Sequence, residues 1–237
     1  MARPKKNAGS DSTANQKFDL DNYLSTQDLD VNPEDKELSW IPLSKPWHDA
    51  IKLPGFARGY VSLVRGFSNT GKSTAFYEAI AGAQKVGDFP IVIETEGNWN
   101  DEHARNVGVK YKEVVDEETG EVTYKGDGFM LIKQHTLYEM YKNYDHEASK
   151  MMSKPTRYEP VIEDVALLIN QKLKEQEEGK LPMNLCFLWD SIGTLNGYKT
   201  ATKDASNNQW NAGSMNAFGS IVNFKIPSSR DKGSKYT

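Results

Sequence analysis

A single cysteine, Cys186, among 237 residues excludes an intrachain disulfide. It lies in the apolar run Leu185–Trp189 and reads as a buried, reduced thiol. No stretch approaches ~18 consecutive apolar residues, so nothing in the sequence is built to span a membrane. The first residues lack the apolar segment of a secretory signal, which points to the cytoplasm, a host cytoplasm if the source is viral. Excess basic charge is also missing: 29 Lys and Arg against 33 Asp and Glu leave a net −4. That excludes a uniformly basic nucleic-acid binder and leaves room for a local basic patch. No internal repeat is present. The length suits one large α/β domain with tails, and such a domain buries roughly 70% of its unfolded surface.

What the sequence does contain is Gly66-Phe67-Ser68-Asn69-Thr70-Gly71-Lys72-Ser73-Thr74. It fits the phosphate loop G-x-x-x-x-G-K-[ST] at every fixed position. Before it, Tyr60–Val64 reads as a short buried strand. After it, Thr74–Gln84 lacks Pro, is rich in Ala and spaces Phe76, Ile80 and Ala83 along one helix face. Strand, glycine loop and helix together form an anion cradle: loop N–H groups and the helix N-terminus hold phosphate oxygens. Lys72 adds a point charge at the β/γ-phosphates, and Ser73 a hydroxyl for Mg²⁺.

The rest of the chain alternates strands and helices. Residues 1–38 read as a flexible polar arm, with a short amphipathic helix built from Phe18, Leu20, Tyr23 and Leu24. The core begins at Ser39, with an aromatic lead-in through Trp40-Ile41-Pro42-Leu43 and turns at Pro54-Gly55 and Arg58-Gly59. Further strands are expected at Phe89–Ile93, Phe129–Ile132 and Leu185–Trp189. Helices are expected over Trp99–Val107, His135–Met152, Val161–Glu178 and Ser214–Phe224, with Gly108 and Gly179 as stops. Residues 109–126 read as a hairpin turning at Glu118-Thr119-Gly120. Asn196–Gly213 reads as a polar loop. This pattern predicts an α/β fold with a mostly parallel sheet flanked by helices.

Acids follow two of the strands. Asp190 ends the Leu185–Trp189 run, as a Walker B carboxylate does, and would reach Mg²⁺ beside Ser73. Glu94 and Glu96 follow Phe89–Ile93, and strand alternation puts both on one face. Either could orient a water in line with the γ-phosphate while the other bonds loop backbone; Glu96 is preferred as general base.

These residues resemble the RecA recombinase family, and within it the phage UvsX-type recombinases. The lead-in from Ile41-Pro42-Leu43 to Arg58-Gly59-Tyr60-Val61 is similar to the family's. Glu96 falls where the family keeps its catalytic glutamate, and Asp190-Ser191-Ile192-Gly193-Thr194-Leu195 is similar to its Asp-Ser-x-x-x-Leu. The likeness runs roughly from Ile41 to Phe224. It implies a RecA-like P-loop NTPase core over residues 39–237 and a DNA-dependent ATPase using ATP and Mg²⁺. Such an enzyme forms a filament on single-stranded DNA for recombination and repair. Lys72 and Glu96 would be catalytic, and Gly66–Thr74 would hold the nucleotide. Asn100 and His103 fall where the family contacts the adenine. Lys199, Lys203, Asn207 and Trp210 lie in the segment corresponding to its first DNA-binding loop. The family has further strands after the last helix read here. The resemblance therefore implies a sheet short of strands, with an open apolar edge prone to aggregation, and nucleotide binding as the most this truncated chain would do. A RecA-like hexameric replicative helicase and a weakly hydrolysing recombination mediator share the same nucleotide motifs.

Overall fold

The computed structural model describes residues 39–117, 119, 122–202 and 219. The N-terminal arm with its short helix lies outside them, as does the helix expected over 214–224 apart from Gly219.

The centre is the run Phe89-Pro90-Ile91-Val92-Ile93-Glu94, which is apolar without alternation. Such a run suits a strand covered on both faces, and it forms strand β3 (Phe89–Glu94), with Ile91, Val92 and Ile93 fully buried. β3 is flanked in parallel by β6 (Met130–Lys133) and β9 (Leu185–Asp190), in the order β6-β3-β9. The register sets Ile93 beside Ile132 and Trp189, and Glu94 beside Asp190. The acids that end β3 and β9 therefore emerge at the same edge of the sheet.

Helices cover both faces. On one, α2 (Lys72–Lys85) and α3 (Asp101–Val107) pack Tyr77, Ile80 and Ala104 against Val92 and Leu188. On the other, α4 (Gln134–Tyr141) and α5 (Ile162–Glu177) pack Leu137, Val165 and Leu168 against Ile91 and Ile93. Each fully buried Ile or Leu contributes about 1.5–3 kcal/mol of transfer free energy. The structure is thus mixed α/β, a parallel sheet between helices. The lead-in folds as β1 (Trp40–Pro42), α1 (Lys45–Ile51) and β2 (Gly55–Ala57), with β1 and β2 antiparallel. Arg58 pairs with the nearly buried Asp88 at the start of β3. The hairpin expected near 109–126 forms as β4 (Tyr111–Val115) and β5 (Val122–Gly126).

Three expectations are corrected. Tyr60–Val64 joins no sheet, and Leu63 is 74% exposed. A strand exists only through its ladder, and this segment is separated from β9 by a cavity that both line. Among the described residues β9 is paired on one edge only. The helix expected over His135–Met152 stops at Tyr141. It gives way to a small hairpin, β7 (Tyr144–Asp145) and β8 (Lys150–Met151), because Asp145 Oδ1 accepts from the N–H groups of Glu147 and Ala148, both at 2.9 Å. The loop expected over Asn196–Gly213 begins with a short helix, α6 (Tyr198–Thr202).

Candidate active site

The phosphate loop is built by its own backbone. Asn69 (φ 63°) and Gly71 (φ 88°) both take the left-handed conformation and turn the chain back into α2. Thr70 Oγ1 and Lys72 Nζ each donate to the carbonyl of Phe67 at 2.8 Å. A Cβ at Gly66 would sit 2.6 Å from Thr70 Oγ1, so that position accepts only glycine without rearrangement. Gly71, the N-cap of α2, offers no side-chain oxygen. The first N–H groups of a 14-residue helix are therefore left for water or an anion. Ser73 and Thr74 sit in that first turn.

The carboxylates gather at the sheet edge. Glu94 is 4% exposed and accepts from the backbone N–H of Asn98 at 3.0 Å. Glu96 is exposed, and its Oε2 accepts from Asn98 Nδ2 at 3.3 Å. Burial raises the pKa of Asp190 above the usual carboxylate range. Glu96 and then Glu94 raise it further, and the Lys72 ammonium opposes them. Lys72, Glu96, Asp190 and Ser191 are among the residues lining a cavity of about 480 Å³. The Asp190–Ser191 peptide is cis. Cys186 also borders the cavity; burial pushes its thiol up to about 12, so it stays protonated at neutral pH.

The structure thus brings Lys72, Glu96 and Asp190 together and seats Glu94 on loop backbone. Asn100 is occupied as the N-cap of α3: its Oδ1 accepts from His103 N–H at 2.8 Å. His103 Nε2 lies 3.3 Å from Thr74 Oγ1, with its ring edge-on to Tyr77. Lys199 is exposed on α6. Lys203, Asn207 and Trp210 lie outside the described residues. Three side chains that shape the site had no sequence signal: Thr95, Trp189 and Thr194. Thr95 Oγ1 lies 3.0 Å from Trp189 Nε1 and 2.6 Å from Thr194 Oγ1, partners 94 and 99 residues away in the chain.

These donors fit a nucleoside triphosphate with its metal. An exposed glycine loop, an ammonium and a free helix start match phosphate oxygens. Among the described residues no group of three His, Cys, Asp or Glu could by itself cage a metal ion. One hydroxyl and one carboxylate suit Mg²⁺, which keeps several waters and takes the rest of its oxygens from phosphate.

Sequence comparison agrees in part. The chain is similar to Protein RecA of Nocardioides sp., with 37% identity over 60 residues, 25% of this chain and 17% of that protein. It is similar to Protein RecA, plasmid, of Lactococcus lactis subsp. lactis, with 31% identity over 77 residues, 32% of this chain and 23% of that protein. The chain therefore spans only about a fifth of the length of these relatives. No protein-family model matches, and no solved structure matches significantly. The partial matches support a RecA-like relationship. Among the described residues no helix is long and apolar enough to cross a membrane.

Proposed function

We propose that this chain carries the ATPase core of a RecA-type DNA recombinase, within that group closest in kind to the phage UvsX-type proteins. The observation that carries the reading is the convergence of Lys72, Glu96 and Asp190 on one cavity beside a glycine loop in which Gly66 leaves no room for a Cβ. In this reading the loop amides and Lys72 bind the β- and γ-phosphates. Ser73 and Asp190 hold Mg²⁺. The metal, when bound, neutralises charge on the phosphate oxygens. Glu96, exposed at the cavity, orients a water and takes its proton. Asn100 and His103 border the adenine side. Lys199, with Lys203, Asn207 and Trp210, contacts single-stranded DNA through phosphate charge and base stacking. The intact protein forms a filament on that strand, and ATP favours the filament only by its differential affinity for the two states.

A fluorescent ATP analogue titrated into the chain tests the nucleotide part. Binding is expected in the parent, weakened about 10- to 100-fold by Lys72→Ala, the worth of a charge-assisted contact. In any form that hydrolyses ATP, Glu96→Gln should cut turnover about 10²- to 10⁴-fold while sparing binding. A parent with no affinity for ATP overturns the reading. DNA-stimulated turnover at the parental rate in Glu96→Gln removes Glu96 as the base. Electron microscopy on single-stranded DNA separates a filament from the hexameric ring of a helicase.

A further inference from the structure

At the edge where β3 and β9 end, both chains leave the sheet and their ladder stops. The register closes with Glu94 beside Asp190, and one bond extends it: Thr95 N–H donates to the Asp190 carbonyl at 2.7 Å. Beyond that point one segment carries Glu96, and the other leaves the sheet directly from Asp190. Repulsion between Glu96, Glu94 and Asp190 favours their separation whenever no cation lies between them. Something must hold the loops together before a metal arrives.

A single hydroxyl does so. Thr95 is 2% exposed and sits between Glu94 and Glu96 in the chain. Its Oγ1 accepts from Trp189 Nε1 at 3.0 Å, lies 2.6 Å from Thr194 Oγ1, and has the Ser191 and Asp190 carbonyls within donating reach at 3.1 and 3.3 Å. Each hydroxyl has one proton to give, so Thr95 and Thr194 share these acceptors between them. Thr194 Oγ1 also lies 2.8 Å from the Ser191 carbonyl, the first residue past Asp190. Each contact of Thr95 ties the chain beside Glu96 to the chain around Asp190, and the Thr194–Ser191 contact braces that second segment internally.

We infer that Thr95 and Thr194 form a hydroxyl clamp that fixes the spacing of Glu96 and Asp190 and so prepares the acidic side of the site for a divalent cation bound with nucleotide. They are positioning residues, touching neither metal nor phosphate. The inference rests on the nucleotide reading above.

The test separates metal-dependent from metal-independent binding. A fluorescent ATP analogue is titrated with excess Mg²⁺ and again with EDTA, on the parent, Thr95→Val, Thr95→Ser and Thr194→Val. The parent should bind more tightly with Mg²⁺ than without. Thr95→Val should lose about 10-fold or more of that enhancement, the usual scale for an outer-shell partner of a metal ligand. Its affinity in EDTA, set by the glycine loop and Lys72, should stay within about twofold of the parent. Thr95→Ser keeps the hydroxyl and should restore the enhancement. Thr194→Val, at an exposed position, should show a partial loss. Tryptophan emission gives a readout free of nucleotide, since Thr95→Val strips the indole of Trp189 of this acceptor. Full Mg²⁺ enhancement in Thr95→Val overturns the clamp and leaves the nucleotide reading standing. A parent that binds no nucleotide overturns both. If Thr95→Val fails to fold, full enhancement in Thr194→Val overturns the clamp.

Discussion

Two clusters of charge border this sheet, and they are handled in opposite ways. At the start of α5, Arg157 and Asp164 are both wholly buried and form an ion pair through both carboxylate oxygens. Every remaining valence is used. Val161 N–H donates to Asp164 Oδ2 at 2.9 Å, His146 Nε2 lies 2.8 Å from Oδ1, and Arg157 donates to the carbonyls of Tyr144 and Glu159 at 3.0 Å each. At the mouth of the cavity the balance is different. Asp190 feels Glu96 and Glu94 against the Lys72 ammonium, which also donates to the Phe67 carbonyl. The first cluster is closed and holds the 144–161 segment on α5. The second leaves carboxylates crowded beside an open cavity.

The largest expected effect breaks the closed cluster. Asp164→Ala leaves a buried guanidinium unpaired and should cost about 3–5 kcal/mol. On the size scaling of ~2–4 °C per kcal/mol, the melting temperature should fall by roughly 10 °C, measured by circular dichroism. Replacing both partners, Asp164→Leu with Arg157→Met, should recover much of the loss, because two apolar groups leave no orphan charge. Equal melting of Asp164→Ala and the parent would make the two clusters energetically alike and remove the contrast.

A smaller effect sharpens the open cluster. Folding raises the pKa of Asp190, by burial first and by Glu96 and Glu94 next. The folded state then holds the proton more tightly than the unfolded one. The stability this supplies is present at acid pH and is lost as pH rises from the ordinary aspartate range through the raised value. Asp190→Asn should flatten that slope and stabilise the ligand-free protein at neutral pH, with nucleotide-bound Mg²⁺ held less tightly. Chemical denaturation of parent and variant between about pH 4 and pH 7 checks it, since the window starts near the ordinary aspartate value. A parent whose stability relative to the variant rises across that window would mean that Asp190 is paired, like Asp164.

How far these regions were legible follows from the range of the signals. The phosphate loop is contiguous, so its residues and the helix after it could be read directly. Asp190 was legible because it ends an unbroken apolar run, and the β4–β5 hairpin because Glu118-Thr119-Gly120 punctuates it. Tyr60–Val64 misled because an apolar run states that burial is wanted and says nothing of which neighbour supplies the ladder. The β7–β8 hairpin was hidden by a helical pattern through Tyr141. The signal passed over was Asp145, whose side chain caps the turn. The Arg157–Asp164 pair and the Thr95–Thr194 pair had no local signature, because each depends on where separate elements dock. Features carried by one contiguous segment were readable; side-chain pairs formed where separate elements dock were not.

The smallest expected effect concerns the hairpin, where the same question of paired and unpaired charge arises at the surface. Its base is packed, with Tyr111 edge-on to Phe129 at 5.5 Å and Gly126 against the Phe129 ring. Its outer half is open: Val115 is 56% and Tyr124 45% exposed. One contact ties that half to α3, the Arg105 guanidinium 3.6 Å over the Tyr124 ring. The cation faces ring electrons in place of a carboxylate, and at an exposed site such a contact contributes about 0.5–1 kcal/mol. Arg105→Ala should therefore speed hydrogen exchange in β4 and β5 by roughly two- to fivefold, with global stability nearly unchanged, because the hairpin opens without the sheet. Arg105→Lys keeps the charge and loses the flat stacking surface, so it should fall between the two. Unaltered exchange in Arg105→Ala would mean that the hairpin is held by its base alone.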